Sequence, residues 1–447
     1  MTEKHYDVVI VGGGISGAAL FYELATYTDI KNVAIIEKYD ALATLSSSGK
    51  GNSQTIHCGD IETNYTAEKA RNVKRTANMI VKYCLKHGYE NKFMFVHQKM
   101  AVGIGDEEVA YMKKRHEDFR EIFPYLELYD KEKLKEIEPK VVFDENGNER
   151  EEDIVGVGVQ NHYSTIDYGA MTRSLVENAQ KVKDRNFDLF LNSEVVEIKK
   201  DNDIHILKTK NGEIFSAKFV VVNAGGHSLY LAHKMGYGEN FGCLPIAGSY
   251  YMTKNVFLNG KVYMVQNPKL PFAALHGDPD ILENGVTRLG PTALAMPKLE
   301  RYHGLSSVPQ FFKTLNFDRK IFKILLDLFS DSTIRNYVLK NFVYEIPYVN
   351  KRYFLKNIRK LVPSLKLDDI EYAHGFGGVR PQVLNKEERK LMLGEASINP
   401  GTGIIFNMTP SPGATSCLGN AERDTKIICE FIGAKFDEKK FLKELVD

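Results

Sequence analysis

The first forty residues constrain this chain more than any other stretch. Tyr6 to Val11 reads YDVVIV, a short β-branched run of the kind that forms a strand buried on both faces. It runs into Gly12-Gly13-Gly14-Ile15-Ser16-Gly17 and a helical stretch reaching about Thr26. A second apolar strand, Val33 to Ile36, ends in Glu37. Strand, G-x-G-x-x-G turn, helix and terminal carboxylate stand in the order of a Rossmann βαβ unit. Gly12 permits the tight turn, Gly14 the close approach of a pyrophosphate, and Gly17 the packing of helix on strand. Ile15 and Ser16 open the helix, where unpaired N–H groups and the dipole favour phosphate. Glu37 is placed to accept hydrogen bonds from a ribose, with Lys38 beside it. The whole unit points to a dinucleotide that contains ADP.

The glycine motif alone leaves FAD and NAD open. Its position near the N-terminus, and three further segments in order, favour FAD. Ser193-Glu194-Val195-Val196 looks like a strand whose backbone holds adenine. Phe219 to Val222 is a buried strand ending in the small residues Asn223-Ala224-Gly225-Gly226. Gly403 to Asn407 is a strand followed by Thr409 to Ser416, with Gly413, Ala414 and Thr415 opening a helix that could stabilise a reduced flavin by its dipole. No second G-x-G-x-x-G follows a strand, and the five cysteines include no C-x-x-C. The hydride donor is therefore expected to be a small substrate. The fold expected is α/β: a glutathione-reductase-like or D-amino-acid-oxidase-like Rossmann domain assembled from 1–75, 150–235 and 368–447. An α+β substrate domain from 76–149 and 236–367 is inserted between its pieces.

Charge and hydropathy narrow the partners. Lys and Arg number 59 against 58 Asp and Glu, so bulk charge does not drive nucleic-acid binding. No apolar run approaches the ~18 to 20 residues of a membrane-spanning helix. The chain enters a strand near its start, so a cytoplasmic location is expected. Nothing in it has the spacing of a metal site.

Several blocks resemble malate:quinone oxidoreductases, in particular the shorter, epsilonproteobacterial type. They are Ser46 to His57, which contains Ser47, Ser48, Asn52, Ser53 and Gln54; Glu62 to Thr66; Ala274 to Asp278 with Arg288 to Pro291; Gly378 to Val383; and Ser411 to Ala414. The resemblance implies oxidation of (S)-malate to oxaloacetate by non-covalent FAD. Electrons would pass to a membrane quinone, ubiquinone or menaquinone, from a peripheral site on the inner face of the cytoplasmic membrane. The 46–57 loop would then pass the flavin.

The chemistry can also be read from residue types. Oxidising a 2-hydroxy acid needs a base for the hydroxyl proton, and imidazole suits it. His276, oriented by Asp278, is the first candidate and His57 the second. Arg380 is the candidate for a substrate carboxylate, since a guanidinium binds carboxylate in bidentate fashion. Tyr65, Tyr168 and Gln382 are further candidate hydrogen-bonders. Flavin dehydrogenases or oxidases for 2-hydroxyglutarate, lactate or an amino acid remain alternatives. Residues 309–360 carry eleven Lys/Arg against four Asp/Glu, a net of +7, with apolar residues Phe317, Ile321, Ile324, Leu325, Leu328, Ile334, Val338 and Phe342 at helical spacing. A basic amphipathic helix of this kind either faces lipid, with Tyr337, Tyr348 and Tyr353 as interfacial aromatics, or forms a solvated cap whose apolar face packs on the substrate domain.

Overall fold

A computed structural model describes residues 3–267, 270, 274–392, 394–410 and 412–447. The strand Lys4–Val11 lies between Asn32–Ile36 and Ile214–Val222, parallel to both. Asn186–Phe190 extends the sheet on one side and Ile404–Met408 on the other, again in parallel. Five parallel strands thus come from three separated stretches of chain. The Val/Ile runs at 8–11, 33–36 and 220–222 follow from burial on both faces at the centre of the sheet. One face carries the helices Ile15–Tyr27, Ala67–Lys86, Tyr168–Gln180 and Cys417–Ile432 around Leu20, Phe21, Tyr83, Leu175 and Leu418. The other carries the hairpin Val195–Asp201 with Ile204–Thr209 and the helix Gly226–Lys234.

A second sheet of eight strands runs in the order 370–372, 251–253, 287–290, 276–279, 261–264, 99–104, 154–159, 127–129. Only the pairing of Lys261–Met264 with Lys99–Ile104 is parallel. The Glu283-Asn284-Gly285 turn joins two of its strands, with φ of +54° at Asn284 and +77° at Gly285. A four-stranded sheet, whose central pair is Phe241–Ala247 with Val379–Asn385, lies beside the cofactor cavity.

Three expected boundaries need correction. Ile154–Val159 and Ile370–Tyr372 belong to the second sheet, although 150–235 and 368–447 were assigned to the dinucleotide domain. Ala67–Lys86 runs unbroken through 75 and joins the two layers, with Ala77, Ile80 and Tyr83 in the first sheet's helical core and Ala67 and Ala70 in the second sheet's core beside Phe119 and Phe123. The reason is non-local: each segment goes where its apolar face finds a partner, which local pattern does not encode. The 309–360 stretch also divides, into Val308–Leu315, Arg319–Ser330, Ser332–Val343 and Asn350–Ile358. Asp318 and Asp331 break it by accepting first-turn amides as N-caps.

Candidate active site

A cavity of about 350 Å³ runs from the Val195–Val196 end of the hairpin, past the glycine turn, to Arg380 and His57. Its glycines are sterically required. A Cβ at Gly12, where φ is +114°, would lie 2.4 Å from the Asn223 carbonyl oxygen, and one at Gly17 would lie 2.1 Å from that of Gly12. The N-cap residue Gly14 has no side chain to cap the helix that begins at Ile15, and Gly14, Ile15 and Ser16 line the cavity. An open helix start of this kind suits an ADP pyrophosphate. Glu37 Oε2 accepts from the Gly13 amide at 2.7 Å and Oε1 from Tyr39 at 2.9 Å. Burial raises its carboxyl above the usual range, against those two amides. A carboxylate has lone pairs beyond these two bonds, so Glu37 can still take a ribose hydroxyl. Lys38 lines the same end and pairs with Glu300, which also accepts from the Tyr39 hydroxyl at 2.6 Å.

Glu37→Ala is expected to weaken FAD binding roughly 10- to 150-fold, the loss of one charge-assisted hydrogen bond of ~1.5 to 3 kcal/mol. Titration of apoprotein with FAD, followed by flavin fluorescence, measures it. An unchanged affinity would remove Glu37 from the ribose site.

Further along, Ser47, Asn52, Ser53, Ala224, Gly225, Gly413, Ala414 and Thr415 also line the cavity. Ser47 Oγ accepts the Ile15 amide at 2.9 Å, tying the 46–57 loop to the first helix. Gly17, Ser48 and Gln54, expected at the cofactor, do not line it. Gly17 serves packing. Ser48 closes a turn, accepting from the Gly51 amide at 3.1 Å. Gln54 is buried, donating to Asp280 at 3.0 Å and accepting from the Ile281 amide at 3.0 Å, and so bolts the loop to the second sheet. Ser411 lies outside the described residues.

At the far end His57 faces the cavity with Nδ1 2.6 Å from Glu62 Oε1. The carboxylate favours the tautomer with Nδ1–H, leaving Nε2 as the basic atom. The loop that holds this pair is clamped. Arg115 donates to the Glu62 carbonyl at 2.6 Å, and the wholly buried Lys99 lies 2.7 Å from Asp60. Arg380, on Val379–Asn385, lines the cavity and makes no ion pair among the described residues. Two tyrosines, the buried Tyr250 and the half-buried Tyr337, stand near it. Burial raises the Tyr250 hydroxyl against the Arg288 and Arg380 cations, and pushes Tyr337 up to about 12 against Arg380. An unpaired guanidinium in a cavity calls for an anionic ligand.

The structure places His276 and Asp278 elsewhere. Their strand is internal to the second sheet, and neither lines the cavity. The His276 ring stacks on Tyr263, centroids 4.0 Å apart, with Nδ1 2.9 Å from the Ala274 carbonyl oxygen and Nε2 3.2 Å from Asp278. Both nitrogens face acceptors, so the ring has no lone pair directed at a substrate. Burial alone would raise the Asp278 carboxyl, but the Lys261 cation and His276 hold it well below its usual range. This buried cluster meets the cavity wall through Tyr263, whose hydroxyl is 3.0 Å from Thr55, and through Lys261, which donates to the Ser53 carbonyl at 3.3 Å. Tyr65 and Gln382 do not line the cavity either. Tyr65 packs with Phe119 and Phe123, and Gln382 is buried in the 379–385 strand. Tyr168 does line it, but its hydroxyl is engaged with the Thr55 carbonyl at 3.0 Å and Thr415 at 2.8 Å. Sequence reading did not identify Glu62 as the partner of His57; it lies five positions further along an irregular loop, a spacing with no periodic signal.

The family model for malate:quinone oxidoreductases matches residues 4–439. A protein of Campylobacter jejuni named as a probable malate:quinone oxidoreductase is 60% identical over the full length of both chains. The malate:quinone oxidoreductase of Helicobacter pylori is 52% identical over 98% of each. In fold, the chain is similar to the FAD-bound L-α-glycerophosphate oxidase of Mycoplasma pneumoniae, with a TM-score of 0.65 at 21% identity over 95% of each chain. It is similar also to glycine oxidase of Geobacillus kaustophilus, with a TM-score of 0.64 at 16% identity over 96% and 95%.

Proposed function

The chain belongs to the malate:quinone oxidoreductase family, and from that premise we propose how its own residues oxidise (S)-malate to oxaloacetate with a quinone as acceptor. One observation carries the assignment of roles. A single cavity joins the dinucleotide cradle to an unpaired guanidinium, Arg380, and a carboxylate-oriented imidazole, His57. The glycine turn, Glu37, the 46–53 loop and the 413–415 turn would hold FAD, which when bound would supply the two-electron acceptor between malate and quinone. Arg380 pairs with a malate carboxylate and so fixes the C2 hydroxyl in the cavity. His57 Nε2 takes the hydroxyl proton, and Glu62 stabilises the imidazolium that results. The clamp of Lys99, Asp60 and Arg115 holds this pair in place before substrate arrives. The His276–Asp278–Lys261 cluster supports the wall behind Thr55.

Cofactor attachment is non-covalent in this reading. Every cysteine is buried, none lines the cavity, and His57 is tied to Glu62. Acid precipitation of the holoprotein is expected to leave FAD in the supernatant; yellow colour retained in the pellet would overturn it. Among the described residues no helix is long and apolar enough to cross a membrane, so the proposed site of action is peripheral, on the inner face of the cytoplasmic membrane. Steady-state assays with a quinone analogue across malate, 2-hydroxyglutarate, lactate and amino acids test the substrate. Malate should give the highest kcat/KM; a higher value for another acid would reassign it.

A further inference from the structure

We infer that the helical layer 308–353 docks this protein on an anionic lipid bilayer; the inference rests on the quinone-acceptor reading above. The expected amphipathic helix does not exist as read, because its apolar residues mostly turn inward. Ile321 and Ile324 are buried and, with Leu325 and Leu328, pack on Leu244, Leu384 and Leu391 of the sheet beneath. Tyr337 is also turned inward, toward Arg380.

The outer face is nevertheless apolar. Phe312, Phe317, Phe322, Leu326, Leu339 and Phe342 are each more than half exposed. Among the described residues, no phenylalanine outside this layer is exposed to that extent. Phe322, Leu326 and Phe329 fall at i, i+4 and i+7 on one stripe of the helix Arg319–Ser330. Tyr348 stands 97% exposed at the tip that precedes the last helix, on a backbone with φ of +71°. A water-facing surface gains nothing from so many aromatic rings, whereas a bilayer interface does.

The charges select the kind of surface. Lys313, Arg319, Lys320, Lys323, Lys351 and Arg352 make no ion pair among the described residues. The acidic residues of the layer are largely occupied: Asp318 and Asp331 cap helices, and Glu345 is bound to Arg301. The outward field is therefore positive beside the apolar stripe, complementary to anionic lipid.

The layer is also continuous with the catalytic cavity. The helix Val308–Leu315 presents Gln310 to the cavity and Phe312 to the outside. The helix Arg319–Ser330 packs on Leu384 of the strand that carries Arg380. A bilayer on this face would lie one helix away from the site where an apolar acceptor must arrive.

Flotation of the holoprotein with vesicles of phosphatidylcholine, with and without phosphatidylglycerol, tests this. Wild type should float with the anionic vesicles. The variant Lys313→Glu, Arg319→Glu, Lys320→Glu, Lys323→Glu should lose on the order of 10²-fold or more in partitioning. The variant Phe322→Gln, Leu326→Gln, Phe329→Gln should float at low salt but detach at a salt concentration that wild type tolerates. Both should oxidise malate with a soluble dye at the wild-type rate, and both should lose activity with quinone embedded in vesicles. Flotation needs no substrate, so it can fail while dye-linked malate oxidation succeeds, and the reverse. Equal flotation of wild type and charge variant at low salt would overturn the inference. So would wild type that stays off vesicles and sediments as a dimer dissociated by the phenylalanine variant, since a second protein copy would then own this face.

Discussion

His57→Ala should slow malate-dependent bleaching of the bound flavin by about 10²-fold or more, the scale of a lost general base. The expectation rests on placement: His57 faces the cavity, and its Nδ1 is held 2.6 Å from Glu62. Glu62→Gln should slow the same step as well, because an amide neither enforces the Nδ1–H tautomer nor balances the imidazolium charge. His276→Ala is the control. Its ring is enclosed between Tyr263, Ala274 and Asp278, so its loss should lower thermal stability while flavin reduction stays within a few-fold of wild type. Stopped-flow reduction under anaerobic conditions distinguishes these cases. Normal reduction in His57→Ala beside a slow His276→Ala would exchange the two roles.

Arg380→Lys should raise the KM for malate by roughly 10- to 100-fold while kcat falls less, because a point charge replaces a planar fork that binds carboxylate through two parallel bonds. Arg380 makes no ion pair among the described residues, so its substitution breaks no visible ion pair that would confuse the result. FAD content and the unfolding midpoint should stay near wild type. A kcat that collapses at unchanged KM would mean that Arg380 acts on the reacting centre and not on the substrate's carboxylate.

The cofactor site was legible from sequence because its determinants are contiguous. A buried strand, a turn that excludes Cβ atoms at Gly12 and Gly17, a helix start and a terminal carboxylate occupy one short stretch, and backbone sterics leave that stretch few conformations. The same holds for the 219–226 and 404–415 segments, whose strands pair with the first in parallel register or extend that sheet. The sequence named both candidate bases but ranked them in the opposite order to the one proposed here. His276-Gly277-Asp278 looks like a catalytic pair in one dimension, but the pairing of that strand with 261–264 and 287–290 turns it into the interior of a sheet. His57 gains its partner only when the loop folds Glu62 back within hydrogen-bond reach. The helical layer repeats the lesson. Composition determined that 309–360 is basic and apolar at once. Which apolar residues meet the sheet and which meet the outside was decided by where Asp318 and Asp331 cap and break the helices, and by the contact of Ile321 and Ile324 with the strand pair beneath. Local chemistry sets what a segment can hold; the distant strands it packs against set what it faces.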